Sequence, residues 1–490
     1  MPDAIRTMHI TFFLNDRKVS AEVLPGETAL RLLRERFGLT GTKQGCNEGD
    51  CGACTVAIGD WEDGGRKWSY KAYTSCLVPA ARLHGRHVIT IEGLAVAGAL
   101  HPIQQAFLDH HATQCGFCTP GCIMSLFCLF SRTPSPSPQQ IAEALEGNLC
   151  RCTGYEAIRD AGRSVAERTV LAAGDIAGRI VPAYCDGVAK QLAGFDQPVG
   201  YTEMKSDGDD CLAYHAPVSL DELFTLLWKI GDCADYRIVN GGTDVMVDAN
   251  VKGARFKHLV DVTRLPGLRY VRADGPNVAI GANTTLADIL DDGTVAANLP
   301  LLRATAARMA SAQVRNAATL AGNLATASPI GDAAMALLAL NATLVLATKM
   351  GERTIPVEKF YKGYRQTELC AHELITAIEV PAQTGAWDFQ KSAKRAAVDI
   401  SSVSSAMVAR LDGKTVAEIR IACGGVAPTP VLLTTTMALL QGKQVKGTLV
   451  EQAAQAAAAE VAPISDVRGS KEFRGALVRN HVVKHLSTLL

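Results

Sequence analysis

The run His9-Ile10-Thr11-Phe12-Phe13-Leu14 is rich in aromatic and β-branched residues and predicts a strand. Asn15-Asp16 is a turn pair, and residues 18–24 return as a second strand. Thr28 then opens a helix that sets Leu30, Leu32, Leu33 and Phe37 on or near one face. A glycine-rich stretch, 41–54, leads into a strand at 55–58. Asp63-Gly64-Gly65 reads as a hairpin turn, and 88–91 closes the unit. The pattern is that of a small β-grasp. From His101 to about Leu171 the spacing turns helical, with helices predicted at 103–111, 120–130, 138–147 and 155–171. Pro102 sits where a first turn tolerates it, and the Pro/Ser run 133–138 joins two helices.

Residues 172–210 lack strong periodicity and read as a linker. Strands and helices then alternate: helix 220–230, strand 236–239, strand 254–261, strand 278–282, helices 301–309 and 333–340, and strand 343–347. A last domain begins near Pro381. There 403–411 and 416–423 flank Asp412-Gly413, a hairpin signal, and helices are expected at 429–441, 448–461 and 471–486. No internal repeat of fixed period is present.

The chain has 490 residues, which calls for several domains. Its 49 basic and 49 acidic residues cancel, which argues against a nucleic-acid binder or a polybasic membrane protein. No run approaches the ~18 apolar residues of a membrane span. Asp3, Asp16, Glu22 and Glu27 make the first thirty residues unlike a signal peptide, so a cytoplasmic location is expected. In such a compartment 15 cysteines point away from disulfides. Ten fall between Cys46 and Cys152, whereas Cys185, Cys211, Cys233, Cys370 and Cys423 are scattered, and the clustering points to metal ligation.

Cys46, Cys51 and Cys54, with Cys76 later, have the C-x4-C-x2-C…C spacing of a plant-type [2Fe–2S] site. Three thiolates from one tight loop need glycines that let it wrap, and Gly45, Gly49 and Gly52 supply them. A structural zinc site also takes four thiolates, but it usually pairs two CxxC units. Cys115-Gly-Phe-Cys118 and Cys150-Arg-Cys152 form a second group, each pair at a predicted helix start. That environment favours thiolate. By spacing alone this group fits zinc or a cluster. Cys122 and Cys128, on the next turns of the same helix, read as small buried hydrophobes.

Residues 114–121 (QCGFCTPG) and 147–155 (GNLCRCTGY) resemble the second-cluster signature of the xanthine dehydrogenase/aldehyde oxidase family. Residues 45–54 (GCNEGDCGAC) are similar to the same family's ferredoxin motif. The chain lacks any G-x-G, so a Rossmann phosphate turn is absent. Two other segments, 236–244 (YRIVNGGTD) and 313–332 (QVRNAATLAGNLATASPIGD), read by themselves first as polar surface loops, but they resemble the family's FAD loops, which reverses that reading.

The resemblance covers nearly the whole chain and implies an α+β multidomain protein. Its parts are a β-grasp ferredoxin domain (1–95), a helical-bundle [2Fe–2S] domain (96–171), a linker (172–210), an α/β FAD-binding domain of vanillyl-alcohol-oxidase type (211–385), and a C-terminal α+β flavoprotein domain (386–490). It implies that Cys46, Cys51, Cys54 and Cys76 hold one cluster and Cys115, Cys118, Cys150 and Cys152 the other. Arg237, Ile238, Val239, Asn240, Gly241, Gly242, Thr243, Asp244 and Val245 would line the FAD diphosphate and ribityl chain. Ala318, Thr319, Gly322, Asn323 and Asp332 would contact the rest, and 399–401 would approach the flavin. The implied activity is electron transfer: molybdopterin on a large partner subunit hydroxylates a purine, from hypoxanthine to xanthine to urate, and electrons reach NAD by way of two clusters and FAD. Cys152 would lie nearest the molybdenum, with Gln114 beside it. A heterotetramer of two small and two large subunits is implied. Hydroxylation of an aldehyde, an N-heterocycle or an aromatic acyl-CoA is the alternative. Met309 replaces an aromatic of the animal enzymes, which leaves NAD and oxygen open as acceptors.

Overall fold

The strands Arg6–Leu14 and Arg17–Val23 pair antiparallel from Met8↔Val23 to Leu14↔Arg17. Asn15 makes the turn at φ 54°, a conformation that Asn tolerates better than most residues. The full sheet runs Arg17–Val23, Arg6–Leu14, His87–Ile89, Thr55–Glu62, Lys67–Thr74, with Gly200–Glu203 added beside Arg6–Leu14. Thr28 caps the following helix by accepting from the Arg31 N–H. Ala29–Arg31 passes into a π-type turn, Leu32–Arg36. Ala29, Leu32 and Leu33 then bury against Met8, Ile10, Phe12 and Leu14, which completes the β-grasp.

The computed structural model describes residues 6–62, 67–171, 180–192, 200–203, 213–231 and 236–490. The turn expected at Asp63-Gly64-Gly65, together with Cys211 and Cys233, lies outside the described residues. The chain divides into two compact units, the first comprising Met1–Ala216, Cys233–Asp261 and Ser311–Ala317.

Within the first unit the four expected helices are Pro102–Asp109, Thr119–Arg132, Pro138–Leu145 and Glu156–Leu171. His101 and Ser137 open two of them with reciprocal capping boxes. Phe107, Ile123, Phe127, Phe130, Ile141 and Ile158 form their core, which also takes in Tyr70, Ala72 and Ile89 of the β-grasp sheet. The stretch read as a linker carries a helix, Cys185–Leu192, whose Val188 and Leu192 pack on Phe13, and the strand Gly200–Glu203. A parallel sheet, Ala213–His215, His258–Asp261, Tyr236–Val239, belongs to this unit. Its Tyr214, Val239 and Leu259 share a core with Val78 and Leu83.

The second unit comprises Pro217–Asp232, Val262–Ala310 and Ala318–Leu490. One sheet has the order Val271–Asp274, Asn277–Gly281, Leu374–Pro381, Thr343–Thr348, Gly351–Pro356, antiparallel throughout. The Asp332–Ala339 helix is buried on every side, as its sequence DAAMALLA requires. A four-stranded sheet, Ala386–Ser392, Val403–Asp412, Thr415–Gly424, Val431–Leu432, follows. The helix expected at 429–441 is confined to Thr434–Leu440, because Pro428 and Pro430 hold the chain extended into the short strand.

Candidate functional site

The strands Thr55–Glu62 and Lys67–Thr74 form a hairpin with Thr55 opposite Thr74. Cys54 and Cys76 are therefore carried at its open end, and their sulfurs stand 3.4 Å apart. Ser75 ties this end together, its N–H and hydroxyl both donating to the Cys54 carbonyl. The loop before the hairpin brings Cys46 and Cys51 into a second pair. The Cys51 N–H donates to Cys46 Sγ at 3.4 Å, and the Cys46 N–H donates to Cys51 Sγ at 3.4 Å. Glu48 N–H adds a further bond to Cys46 Sγ. Glycine is required here on two counts. Gly49 and Gly52 have φ of 85° and 63°, and a Cβ on Gly45 would lie 2.7 Å from Cys51 Sγ.

The second group is built in the same paired way. Cys118 is the N-cap of Thr119–Arg132 and lies against both Cys122 and Cys150. Cys115 and Cys152 have sulfurs 3.5 Å apart, and both residues are exposed. Cys150 is buried, its Sγ lies within hydrogen-bond distance of the Thr153 hydroxyl at 3.1 Å, and its N–H donates to the Tyr155 hydroxyl at 3.0 Å. Cys122 and Cys128 are buried as expected of small hydrophobes.

The electrostatics favour thiolate at Cys46, Cys54 and Cys118. The neighbouring Cys51 thiol, helped by backbone N–H groups, holds Cys46 down to about 5. Cys76 likewise lowers Cys54, and Cys122 then Cys150 lower Cys118 to about 6. Burial pushes the unused Cys128 up to about 12. Among the described residues no three His, Cys, Asp or Glu side chains converge as a single-ion site. Two such thiol pairs in a group can serve the two irons of a [2Fe–2S] cluster.

The flavin candidates of the first unit form a strand–turn–helix. Tyr236–Val239 ends at Asn240, Gly242 turns the chain at φ 78°, and Val245–Lys252 begins with Asp244 at its N-cap. Such a helix start exposes N–H groups suited to phosphate. Its framework includes a residue that sequence reasoning missed. Arg82, after the Cys76 turn, donates to the carbonyls of Val239, Asn240 and Gly241 and to Asp261 Oδ2 at 2.6 Å. The Tyr214 hydroxyl joins Asp261. Burial alone would lower the Arg82 pKa, but Asp261 beside it reverses this and raises it. With these carbonyls held by one guanidinium, the turn is fixed. Ile238 and Val239 serve the sheet, and Arg237 stacks on Phe256 at 5.3 Å. Thr243 and Val245 complete the turn and enter the helix.

The candidates of the second unit form another helix start. Thr319 Oγ1 accepts from Gly322 N–H at 3.1 Å, capping Leu320–Ala325, and the Ala318 carbonyl accepts from Leu286 N–H. Asn323 Oδ1 is buried with no protein hydrogen-bond partner, as a ligand-facing acceptor would be. Asp332 accepts from Lys391 Nζ at 2.8 Å and from Ser401 Oγ at 2.7 Å, so the 399–401 segment does reach this candidate. Asp399 itself is engaged with Arg395 and Ile400 N–H groups. Met309 is buried.

Four family profiles match successive parts of the chain. They are a 2Fe-2S iron-sulfur cluster binding domain at 12–81, a [2Fe-2S] binding domain at 90–163, an FAD binding domain in molybdopterin dehydrogenase at 206–383, and a CO dehydrogenase flavoprotein C-terminal domain at 388–489. A solved structure of carbon monoxide dehydrogenase from Hydrogenophaga pseudoflava is 34% identical, with a TM-score of 0.55 over 57% of this chain and 97% of its own. This chain belongs to the molybdenum hydroxylase family. It carries the family's iron–sulfur/FAD portion. Quinoline 2-oxidoreductase from Pseudomonas putida 86 is 28% identical, with a TM-score of 0.54 over 58% of this chain and 98% of that one. Xanthine dehydrogenase of Drosophila pseudoobscura pseudoobscura is 31% identical over 98% of this chain and 39% of its own length. Aldehyde oxidase 4 of Cavia porcellus is 29% identical over 99% and 39%. The chain thus spans about two fifths of the length of these two curated relatives. The molybdenum hydroxylase assignment matches the paired thiols and the two phosphate-type helix starts, which fit two [2Fe–2S] clusters and FAD. Among the described residues no helix is long and apolar enough to cross a membrane.

Proposed function

We propose that this chain is the iron–sulfur/FAD subunit of a cytoplasmic xanthine dehydrogenase, passing electrons from purine hydroxylation on a molybdopterin-bearing large partner to NAD in a heterotetramer. The observation that carries the reading is coverage. Proteins named xanthine dehydrogenase match 98% of the chain, so that both cluster regions and the flavin region align with one polypeptide; aldehyde oxidase 4 shares this coverage at slightly lower identity, 29% against 31%. The carbon monoxide dehydrogenase and quinoline oxidoreductase chains stop at 57–58%. Bound clusters would carry single electrons, and bound FAD would convert them to hydride transfer.

The protein's own groups divide the work. Cys46, Cys51, Cys54 and Cys76 would hold one cluster at the open end of the hairpin. Cys115, Cys118, Cys150 and Cys152 would hold the other, with the exposed Cys115 and Cys152 on the side open to a partner. The Gly241-Gly242 turn of the first unit and the Thr319 helix start of the second are each a candidate for FAD contact. Hydroxylation of an aldehyde or an N-heterocycle is the second reading, favoured by the likeness to aldehyde oxidase 4 and to quinoline 2-oxidoreductase.

The test is to purify the chain with its molybdopterin-bearing partner and follow NADH formation with xanthine, an aldehyde and quinoline. Xanthine-dependent NADH, with about four irons and one FAD per chain, is the expected result. Preferential oxidation of an aldehyde or quinoline would overturn the substrate assignment, and reduction of oxygen but not NAD would overturn the acceptor.

A further inference from the structure

The segment Ser311–Ala317 clusters with the iron–sulfur residues, although in sequence it leads into a candidate flavin loop. Its anchor is Gln313, which is fully buried. Gln313 Nε2 donates to Ser125 Oγ at 2.8 Å and to Asn148 Oδ1 at 3.0 Å. Ser125 Oγ in turn donates to Asn148 Oδ1 at 2.7 Å. Asn148 Nδ2 donates to the Gly52 carbonyl at 3.0 Å. Each partner belongs to a ligand-bearing element. Ser125 lies on the helix that begins at Cys118, Asn148 precedes Cys150 by two residues, and Gly52 sits between Cys51 and Cys54.

The loops meet backbone to backbone around this amide. The Leu149 N–H donates to the Cys51 carbonyl at 2.9 Å. A Cβ on Gly52 would lie 2.2 Å from the Gly147 carbonyl, and one on Gly121 would lie 2.3 Å from the Gly52 carbonyl. A Cβ on Gly147 would lie 2.1 Å from Gln313 Oε1. Arg315 stands 3.8 Å from Glu146, and Asn316 Nδ2 donates to the Ala72 carbonyl at 2.8 Å, so the segment is fastened again just after Gln313.

We infer that Gln313 is a positioning residue for the two clusters: it locks Asn148 and Ser125 so that the Cys51–Cys54 loop and the Cys150 loop keep one fixed separation. The inference rests on the two-cluster reading. Its physical basis is that hydrogen bonds around ligand loops orient the thiolates and set cluster potential, and a buried polar network loses this control when one member is removed. A fill-in role for Gln313 in packing would leave potentials unchanged.

The test uses the full chain carrying Gln313→Met, which keeps the length of the side chain and removes its donors. Ser125→Ala serves as a milder variant should the first fold poorly. Iron and FAD are counted, and both clusters are followed by electron paramagnetic resonance during a reductive titration. Two reducible cluster signals in the unmodified chain check the underlying reading separately. Their absence, with zinc in place of iron, would sink that reading. With iron and FAD retained, the variants should alter the mutual splitting of the two signals. They should also shift the electron-exchange equilibrium between the clusters about tenfold, equal to ~59 mV for one electron. Signals and potentials unchanged in both variants would overturn the role of Gln313.

Discussion

Replacing Arg82 with Met tests whether the residue that braces the glycine turn matters as its geometry requires. The side chains of Arg82 and Asp261 are 13% and 3% exposed, so this is a buried pair. Arg82→Met leaves the Asp261 carboxylate beside Tyr214 without its cation, and removing one partner of such a pair costs ~3–5 kcal/mol. The carbonyls of Val239, Asn240 and Gly241 lose their shared donor in the same step. Pairing Arg82→Met with Asp261→Leu removes the stranded charge, so the double variant should recover ~2 kcal/mol or more relative to the sum of the singles. Urea titrations following cluster absorbance would give the stability of the first unit, and ultrafiltration would give the FAD retained per chain. The expected outcome is a lowered midpoint and released FAD with iron still bound below the transition. A single variant within ~1 kcal/mol of the parent, or costs that simply add, would refute the reasoning.

Gly242→Val should release FAD while the broad cluster absorption stays. A Cβ there meets only ordinary contacts, 3.4 Å from the Leu77 carbonyl oxygen and 3.5 Å from Arg82 Nη1, so the cost comes mainly from forcing a branched residue to φ 78°. Full flavin occupancy in this variant would make the loop an ordinary turn. His481, held between Ser405 and Ser392, is pushed down to about 3, first by burial and then by His485 and Lys484. It stays neutral in the fold, whereas the unfolded chain takes up its proton near pH 6.5. The second unit should therefore lose stability as pH falls from about 6.5 toward 3, by up to ~1.4 kcal/mol per pH unit, and His481→Gln should flatten that slope in urea midpoints.

The sequence by itself determined the metal chemistry and most of the elements. Cysteine spacing and loop glycines are local, and local rules suffice where ligands come from one tight turn, as at 46–54. By spacing the second group was legible only as two pairs, and the resemblance to the family's second-cluster signature chose a cluster over zinc; the fold brings Cys115 to Cys152 and Cys118 to Cys150. Helix and hairpin signals at Thr28, Ser137 and Gly413 also act within a few residues and reappear in the structure. What only the tertiary structure decided is which distant residues support the sites. Arg82 is 179 positions from Asp261, and Gln313 is 165 from Asn148. A buried arginine or glutamine carries no pattern of its own in one sequence. Its role appears only when folding removes water from it and leaves specific carbonyls and amides as its partners. The first unit's reach into 233–261 and 311–317 has the same cause, because shared burial across the chain, not adjacency along it, sets where a compact unit ends.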